Sequence, residues 1–586
     1  MVSKTARNTE DKKAEYLQTI CSASGWTVEM AEKHMAEANK VGMSCKRYVK
    51  NKCWRLSIDE IAQMNARIEE RLKKKASWTE KMMELDACSQ QEAERRYDEA
   101  QKLGLDLDQY IANRFWTLTP DKMKDANAEI DAIQTIQADT NWDEDRVRAE
   151  IAKAEALGIS RKSYLTYHGW EFTDDELQEL QELLVLKKEF VKQDDDWHVK
   201  VVCEKTGWTY SHALQLMREA KKKGYSFKSF IRRSLWKMTE AEIAALPEYK
   251  QKMSETKKQS IRRKAAQAEE YRKLIMQEMG WTAGRTRLET LRASILCGSS
   301  DAEFYLFKIY KNGVEKGKEF ITSVYNSRMN TRYASWDGGY RLFENKGLFN
   351  QDFKDFIHRQ WFLSKDLSYL QFKKKTKGLT KIICKPLNGI EGIGIEVFTL
   401  DGTEKNRREV FNKIREKGNC IVEQFIHQHD ALSKFYPHSV NTLRVMSFLD
   451  GGQGKILNSV IKFGTTAMVD NYYQGSIAAG VDVKTGKICT DGVDYAGNVY
   501  KEHPYSGQVF CGFQIPHWDD LVELIRVAAT IHPESPYVGW DIAISQSGPE
   551  IVEGNHNQGA YLCQYPFAIY SSEGRRHTID PYLWFD

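Results

Sequence analysis

Two carboxylates and an amide near the C-terminal end carry the clearest chemistry in the sequence. Val538-Gly539-Trp540-Asp541-Ile542-Ala543-Ile544 reads as a buried strand, residues 545–549 as a turn, and Glu550-Ile551-Val552-Glu553-Gly554-Asn555 as the returning strand. Such a hairpin puts Asp541 and Glu553 on neighbouring strands, with Asn555 on the face of Glu553. Oxygen donors of this kind are hard ligands, suited to Mg2+ bridging a triphosphate. Arg444 lies inside an apolar strand-like run. A buried guanidinium without an anion is costly, so it must meet either a structural carboxylate or a phosphate. Lys381-Ile382-Ile383-Cys384-Lys385-Pro386 is a short apolar run ending in lysine, and a turn with Gly389, Gly392 and Gly394 follows it. Glycines of this kind let backbone N–H groups close over phosphates. The turn has no GK[ST] and opens no helix, so it is neither a P-loop nor a dinucleotide fingerprint.

The elements that must position these groups are strands. Cys420-Ile421-Val422-Glu423-Gln424-Phe425-Ile426 reads as a buried strand ending in a polar linker. Residues 440–449 and 455–464 read as an antiparallel pair about a glycine-rich turn. His427 and His429 are expected to pack or cap, since no third histidine or cysteine is arranged beside them.

Residues 1 to about 300 differ, being rich in Glu, Lys, Ala and Gln, and they repeat. Gly42, Gly104, Gly158 and Gly224 are each preceded four residues earlier by alanine and followed six residues later by Tyr48, Tyr110, Tyr164 or Phe230. Six further on stands Trp54, Trp116, Trp170 or Trp236, and sixteen before each glycine stands Trp26, Cys88, Trp142 or Trp208. Thr27, Ser89, Asp143 and Thr209 are expected N-caps, and each glycine is the expected helix stop. Capping boxes are expected at Ser57/Glu60, Ser89/Glu92, Thr173/Glu176 and Thr239/Glu242, with Pro120 at a first helical position. The aromatics at fixed offsets are expected to fill each unit's core, with a sugar-binding or partner-binding face as the alternative. A fifth, weaker copy runs through Trp281, Gly298, Phe304 and Tyr310.

A lysine-ended strand, a glycine-rich flap, a Val-Glu-x-Phe-Ile hinge and an Asp…Glu-x-Asn hairpin occur in the order and spacing of the ATP-grasp superfamily, which residues 285–586 resemble. More narrowly, Ser439-Val-Asn-Thr-Leu-Arg-Val445, Asp470-Asn-Tyr-Tyr-Gln-Gly-Ser476, Val538-Gly-Trp-Asp-Ile-Ala-Ile544 and Glu553-Gly-Asn555 look like the sugar-transfer-associated ATP-grasp group. Proteins of that group are associated with polysaccharide biosynthesis and related to α-L-glutamate ligases. The resemblance implies that Lys346 and Lys385 contact phosphates and that the flap of Gly389, Gly392 and Gly394 closes over them. It implies that Glu423 accepts from the adenine amine, that the backbone of Gln424, Phe425 and Ile426 pairs the ring edge, and that Asp430 binds ribose hydroxyls. Arg444 and Lys462 would face the transferring phosphoryl group, Asp541, Glu553 and Asn555 would hold one or two Mg2+, and Asp470, Asn471 and Arg576 would line the acceptor side. Two departures stand out: Gln474-Gly475-Ser476 replaces a double glycine, and Lys462 replaces arginine while keeping the charge.

The implied activity is an ATP- and Mg2+-dependent carboxylate–amine ligase working through an acyl phosphate, with a sugar or glycan precursor among its small-molecule carboxylate and amine substrates. A kinase acting on a sugar or other small-molecule hydroxyl, and a non-catalytic nucleotide-binding scaffold whose helical repeats dock a protein partner, remain open. Across 586 residues, Lys plus Arg total 86 and Asp plus Glu 82, a net charge of +4 that implies no nucleic-acid footprint. No apolar run is long enough to span a membrane. The polar N-terminus and 11 scattered cysteines fit a reducing, cytoplasmic setting.

The expected fold is multidomain, an all-α repeat half followed by an α+β ATP-grasp half with mainly antiparallel sheets. The expected repeats are 1–75, 76–138, 139–195 and 196–250, with an exposed connecting helix over 251–284. Residues 285–586 then comprise lead-in helices (285–375), a nucleotide-binding part (376–430) and a metal and acceptor part (431–586).

Overall fold

A computed structural model describes residues 4–249, 255–334, 340–388, 394–465, 472 and 475–585. The chain divides into two compact units, Met1–Ala152 and Lys153–Asp586. The N-terminal half is helical and the C-terminal region carries antiparallel sheets; among the described residues, no strand precedes Trp361.

Left-handed backbone recurs through the helical part at offsets that are constant in four copies and one residue longer at one step of the fifth. It occurs at Gly25, Ala87, Asn141, Gly207 and Gly280, then at Gly42, Gly104, Gly158, Gly224 and Gly298, and then at Lys52, Arg114, His168, Ser234 and Lys308. The second set ends a helix in each case, where a residue at positive φ turns the chain out of the helical path. The third set leads in the first four cases into one short 3-10 turn, Cys53–Arg55, Phe115–Thr117, Gly169–Glu171 or Leu235–Lys237, with the tryptophan at its centre. Tyr48, Tyr110, Tyr164 and Phe230 are fully buried, Trp54 is buried, and Trp116, Trp170 and Trp236 are partly so. These aromatics are core. At Gly169 a Cβ would lie 2.1 Å from the Tyr164 ring, so only glycine lets the turn close on it.

Capping boxes form at Ser57/Glu60, Thr173/Glu176 and Thr239/Glu242. At Ser89 only half of the expected box forms: Ser89 accepts from the Glu92 N–H, while the Glu92 carboxylate turns to Arg95 and Arg96 at 2.7 and 2.8 Å. The charge-assisted bonds win over the bond back to the Ser89 N–H. The helices Ile58–Asp86, Pro120–Thr140 and Asp174–Thr206 each run through an expected repeat boundary, at 75/76, 138/139 and 195/196. Helix-forming residues with no glycine or proline continue each last helix into the next unit. The expected exposed connector is another correction. The helix Glu255–Met279 buries Tyr271 and Ile275, four residues apart on one face, in a core with Phe304, Phe307 and Tyr565.

Within Lys153–Asp586 the helical part is fastened to the sheets' region. Arg292 pairs with Glu179 at 2.7 Å, Arg332 with Glu204 at 2.6 Å, and Trp197 Nε1 donates to Leu583 O at 3.2 Å. The smaller sheet comprises β1 (Trp361–Leu363), β2 (Lys381–Pro386), β3 (Glu396–Thr399) and β4 (Cys420–Gln424) in the order β1-β4-β2-β3. The larger comprises β5 (Leu443–Asp450), β6 (Gln453–Phe463), β7 (Ile477–Val481), β8 (Gly492–Val493), β9 (Val499–Tyr500), β10 (Tyr537–Ser545) and β11 (Gly548–Asn555) in the order β11-β10-β5-β6-β7-β8-β9. All paired strands are antiparallel. Among the described residues, no helix is long and apolar enough to cross a membrane.

Candidate functional site

The larger sheet brings the site's charges into one row. Glu553 on β11 pairs with Asp541 on β10, and Asp541 pairs with Arg444 on β5. Paired residues of antiparallel neighbours project to the same face, so these three side chains stand side by side. Lys462 on β6 belongs to that face, two residues from Val460, the partner of Arg444. Asp541 Oδ2 lies 3.1 Å from the Arg444 guanidinium and its Oδ1 lies 3.4 Å from Lys462 Nζ. Burial pushes the Asp541 carboxyl up, but Arg444 and Lys462 hold it below the usual range. Asn555 Nδ2 lies 3.5 Å from Glu553 Oε1 and opposite Gly539.

The hairpin that sequence reasoning expected therefore forms in the expected register. A bulge between Asp541 and Ile542 shifts the pairing only beyond the carboxylates. Among the described residues, no group of three or more His, Cys, Asp or Glu could hold a metal ion. A cation here would rely on two carboxylates and one amide oxygen.

The second group belongs to the smaller sheet. Lys385 is the penultimate residue of β2, and its Nζ pairs with Glu423 Oε2 on β4 at 2.6 Å. Glu423 is 2% exposed. Its Oε1 also accepts from Asn350 Nδ2 at 2.8 Å and from Arg359 Nη2 at 3.1 Å. Burial raises this carboxyl, yet Arg359 and Lys385 bring it well below the ordinary glutamate range. The Glu423 carboxylate, expected to accept from an adenine amine, is enclosed here by three donors, Lys385, Asn350 and Arg359. The N–H groups of Gln424 and Phe425 are likewise engaged, donating to Gln360 O at 2.8 Å and Lys381 O at 3.2 Å.

Lys346 begins the helix Lys346–Asp352, and Asn345 caps that helix. Burial lowers its ammonium, Glu553 acts oppositely and Lys385 in the same sense, so Lys346 is within electrostatic reach of both groups. Asp430 is exposed in the first turn of Asp430–Ser433, where His429 Nδ1 accepts from Ala431 N at 3.1 Å, a cap as expected. Arg576, expected on the acceptor side, pairs with Asp580 at 2.9 Å, donates to Lys318 O at 3.0 Å and stacks on Tyr325. Of the flap, Gly394 is described at φ 79°, while Gly389 and Gly392, like Asp470 and Asn471, lie outside the described residues.

Arg359 and Asn350 were missed by sequence reasoning. Arg359 reaches Glu423 on β4 and also Glu550 on β11 at 3.2 Å, so one buried guanidinium ties the two sheets. Its one signal in the sequence is a charged residue two positions before an aromatic strand, at Arg359-Gln360-Trp361-Phe362.

Residues 364–570 match the family described as sugar-transfer associated ATP-grasp. No curated protein matches the chain. Among solved structures, the chain is similar to D-alanine–D-alanine ligase from Bacillus anthracis, at 11% identity over 44% of this chain and 69% of that one, TM-score 0.25. It is also similar to an L-amino acid ligase from Bacillus licheniformis, at 13% identity over 38% of this chain and 43% of that one, TM-score 0.23. A third is N5-carboxyaminoimidazole ribonucleotide synthetase in its ADP complex, at 12% identity, TM-score 0.23, where 37% of this chain spans 45% of that one. Likenesses this distant carry no chemistry, which rests on the residues themselves.

Proposed function

We propose that this chain, whose residues 364–570 match the sugar-transfer associated ATP-grasp family, is an ATP-dependent ligase joining a carboxylate to an amine on a sugar or glycan precursor. The observation that carries the reading is the row Glu553–Asp541–Arg444, in register across three strands and bordered by Lys462. Paired acids beside paired cations suit phosphoryl transfer, where catalysis is mostly positioning and charge stabilisation.

A carboxylate oxygen of the first substrate attacks the γ-phosphorus. The new O–P bond forms as the bond to the ADP oxygen breaks, and an acyl phosphate results. Arg444 and Lys462 stabilise charge on the oxygens in transfer. Lys385, oriented by Glu423, and Lys346 bind the rest of the polyphosphate; an ammonium has three donors, so pairing with one carboxylate leaves capacity for phosphate. The amine lone pair then attacks the acyl carbon, phosphate leaves with the C–O bonding pair, and the amine proton passes to solvent.

The donor set fits Mg2+: Asp541 Oδ1 is buried with the Lys462 ammonium at 3.4 Å, Glu553 is paired with Asp541 across the hairpin, and Asn555 supplies a third oxygen. When bound, the ion would neutralise phosphate charge.

The test is an ADP- and phosphate-release screen over amino acids, uronic acids and amino sugars, with wild type and Glu553→Gln in parallel. The ligase releases ADP and phosphate together, and Glu553→Gln lowers turnover by about 100-fold or more. ADP with a phosphorylated sugar and no phosphate means a kinase. Equal turnover in wild type and variant removes Glu553 from the site.

A further inference from the structure

Gln558 lies in the turn between β11 and the helix Tyr561–Ser571. It is 2% exposed, yet neither Oε1 nor Nε2 has a hydrogen-bond partner among the described residues. A buried amide left without partners is costly, and folded proteins keep few of them.

Its position is nevertheless closely held. The Gln558 carbonyl oxygen accepts from Asn326 Nδ2 and from Asn330 Nδ2, both at 2.9 Å, on the helix Ser323–Tyr333. Tyr537 Oη in turn donates to Asn326 Oδ1 at 3.4 Å. The side chain lies over Gly539, which pairs with Asn555 and shares the face of Asp541. A Cβ at position 539 would stand 2.4 Å from Gln558 Oε1 and 3.1 Å from Arg444 Nη1. Carboxamide and guanidinium therefore share the space left by that glycine, beside the carboxylate pair.

We infer that Gln558 contacts the acceptor substrate and orients its amine. Oε1 accepts an amine N–H and Nε2 donates to a neighbouring oxygen of the same molecule. A carboxamide offers one acceptor and two donors with no charge, so it suits an amine flanked by oxygen, as in a 2-amino sugar or an α-amino acid. The inference rests on the ligase reading and assigns to it the group that receives the acceptor. It also accounts for Gly539, where any side chain would displace both contacts.

Thermal unfolding of the full chain tests this. Wild type and Gln558→Leu are compared with Mg2+ and a non-hydrolysable ATP analogue, and then with glucosamine or L-glutamate added. Leucine keeps much of the shape and removes both polar atoms. The variant should unfold at or above the wild-type temperature and keep the nucleotide-induced shift. It should need about tenfold more amine, or higher still, for the same further shift. A response to glucosamine alone or to L-glutamate alone identifies the class of acceptor. Unfolding several degrees below wild type would make the amide structural and overturn the inference. So would an unchanged amine response, or a wild type that responds to nucleotide and to neither amine. A wild type with no nucleotide shift would instead strike the ligase reading, and the inference with it.

Discussion

Arg444 shows at the scale of one residue how the site balances its charges. Its place inside an apolar strand demands an anion, and the sequence leaves open whether that anion is protein or phosphate. The structure supplies Asp541 at 3.1 Å, opposite it in the register. Asp541 in turn is held ionised by Arg444 and Lys462. A planar fork and a point charge differ in what they can hold, so Arg444→Lys should fold with little change in unfolding temperature. ADP release should fall about 10- to 100-fold, because the charge remains and the two-pronged geometry is lost. Steady-state turnover together with thermal unfolding checks this. The protein partners of Glu423 and Arg576 were not legible from sequence. An acid after an apolar strand reads alike whether it meets a ligand or a buried arginine, and only the partner at Arg359 decides.

At the scale of the element, sequence spacing fixes the contact wherever the competing interactions are local. Thr173 accepts from the Glu176 N–H and Glu176 answers to the Thr173 N–H, as the spacing implies. Thr119 occupies the corresponding N-cap position without a side-chain cap bond, its helix starting instead on Pro120. Thr173→Ala should therefore destabilise by about 1 kcal/mol, and Thr119→Ala by only a few tenths. Chemical denaturation of the two variants side by side would separate them, and equal losses would show that the cap bond is not what matters. Ser89 marks the limit of such reading: its box is half made because Arg95 and Arg96, on the same helix, outbid the Ser89 N–H for Glu92. The hairpin β10–β11 was legible because alternation and a Ser-Gln-Ser-Gly-Pro turn set its register.

At the scale of the whole molecule, the two sheets of Lys153–Asp586 are joined through Arg359, between Glu423 and Glu550. Replacing it with Met leaves two buried carboxylates without their shared cation, and the expected loss is about 3–5 kcal/mol at neutral pH. The pH dependence has a definite sign. Glu423 titrates below its unfolded value of about 4.3, so its contribution is complete above that pH and is lost as pH falls through the lower, folded value. The gap in unfolding temperature between wild type and Arg359→Met should therefore be widest near neutrality and shrink in acid. A gap constant with pH would mean that the arginine acts through packing alone. The sequence by itself determined the helical half, the left-handed stops, the aromatic cores, the carboxylate hairpin and the resemblance that names its chemistry. All of these rest on interactions between residues near in the chain or on periodicity along it. Only the tertiary structure decided which charge meets which. Lys385 against Glu423, Arg444 against Asp541, Arg359 across two sheets and Gln558 beside Gly539 depend on strands brought together from distant parts of the chain, and no local spacing encodes that.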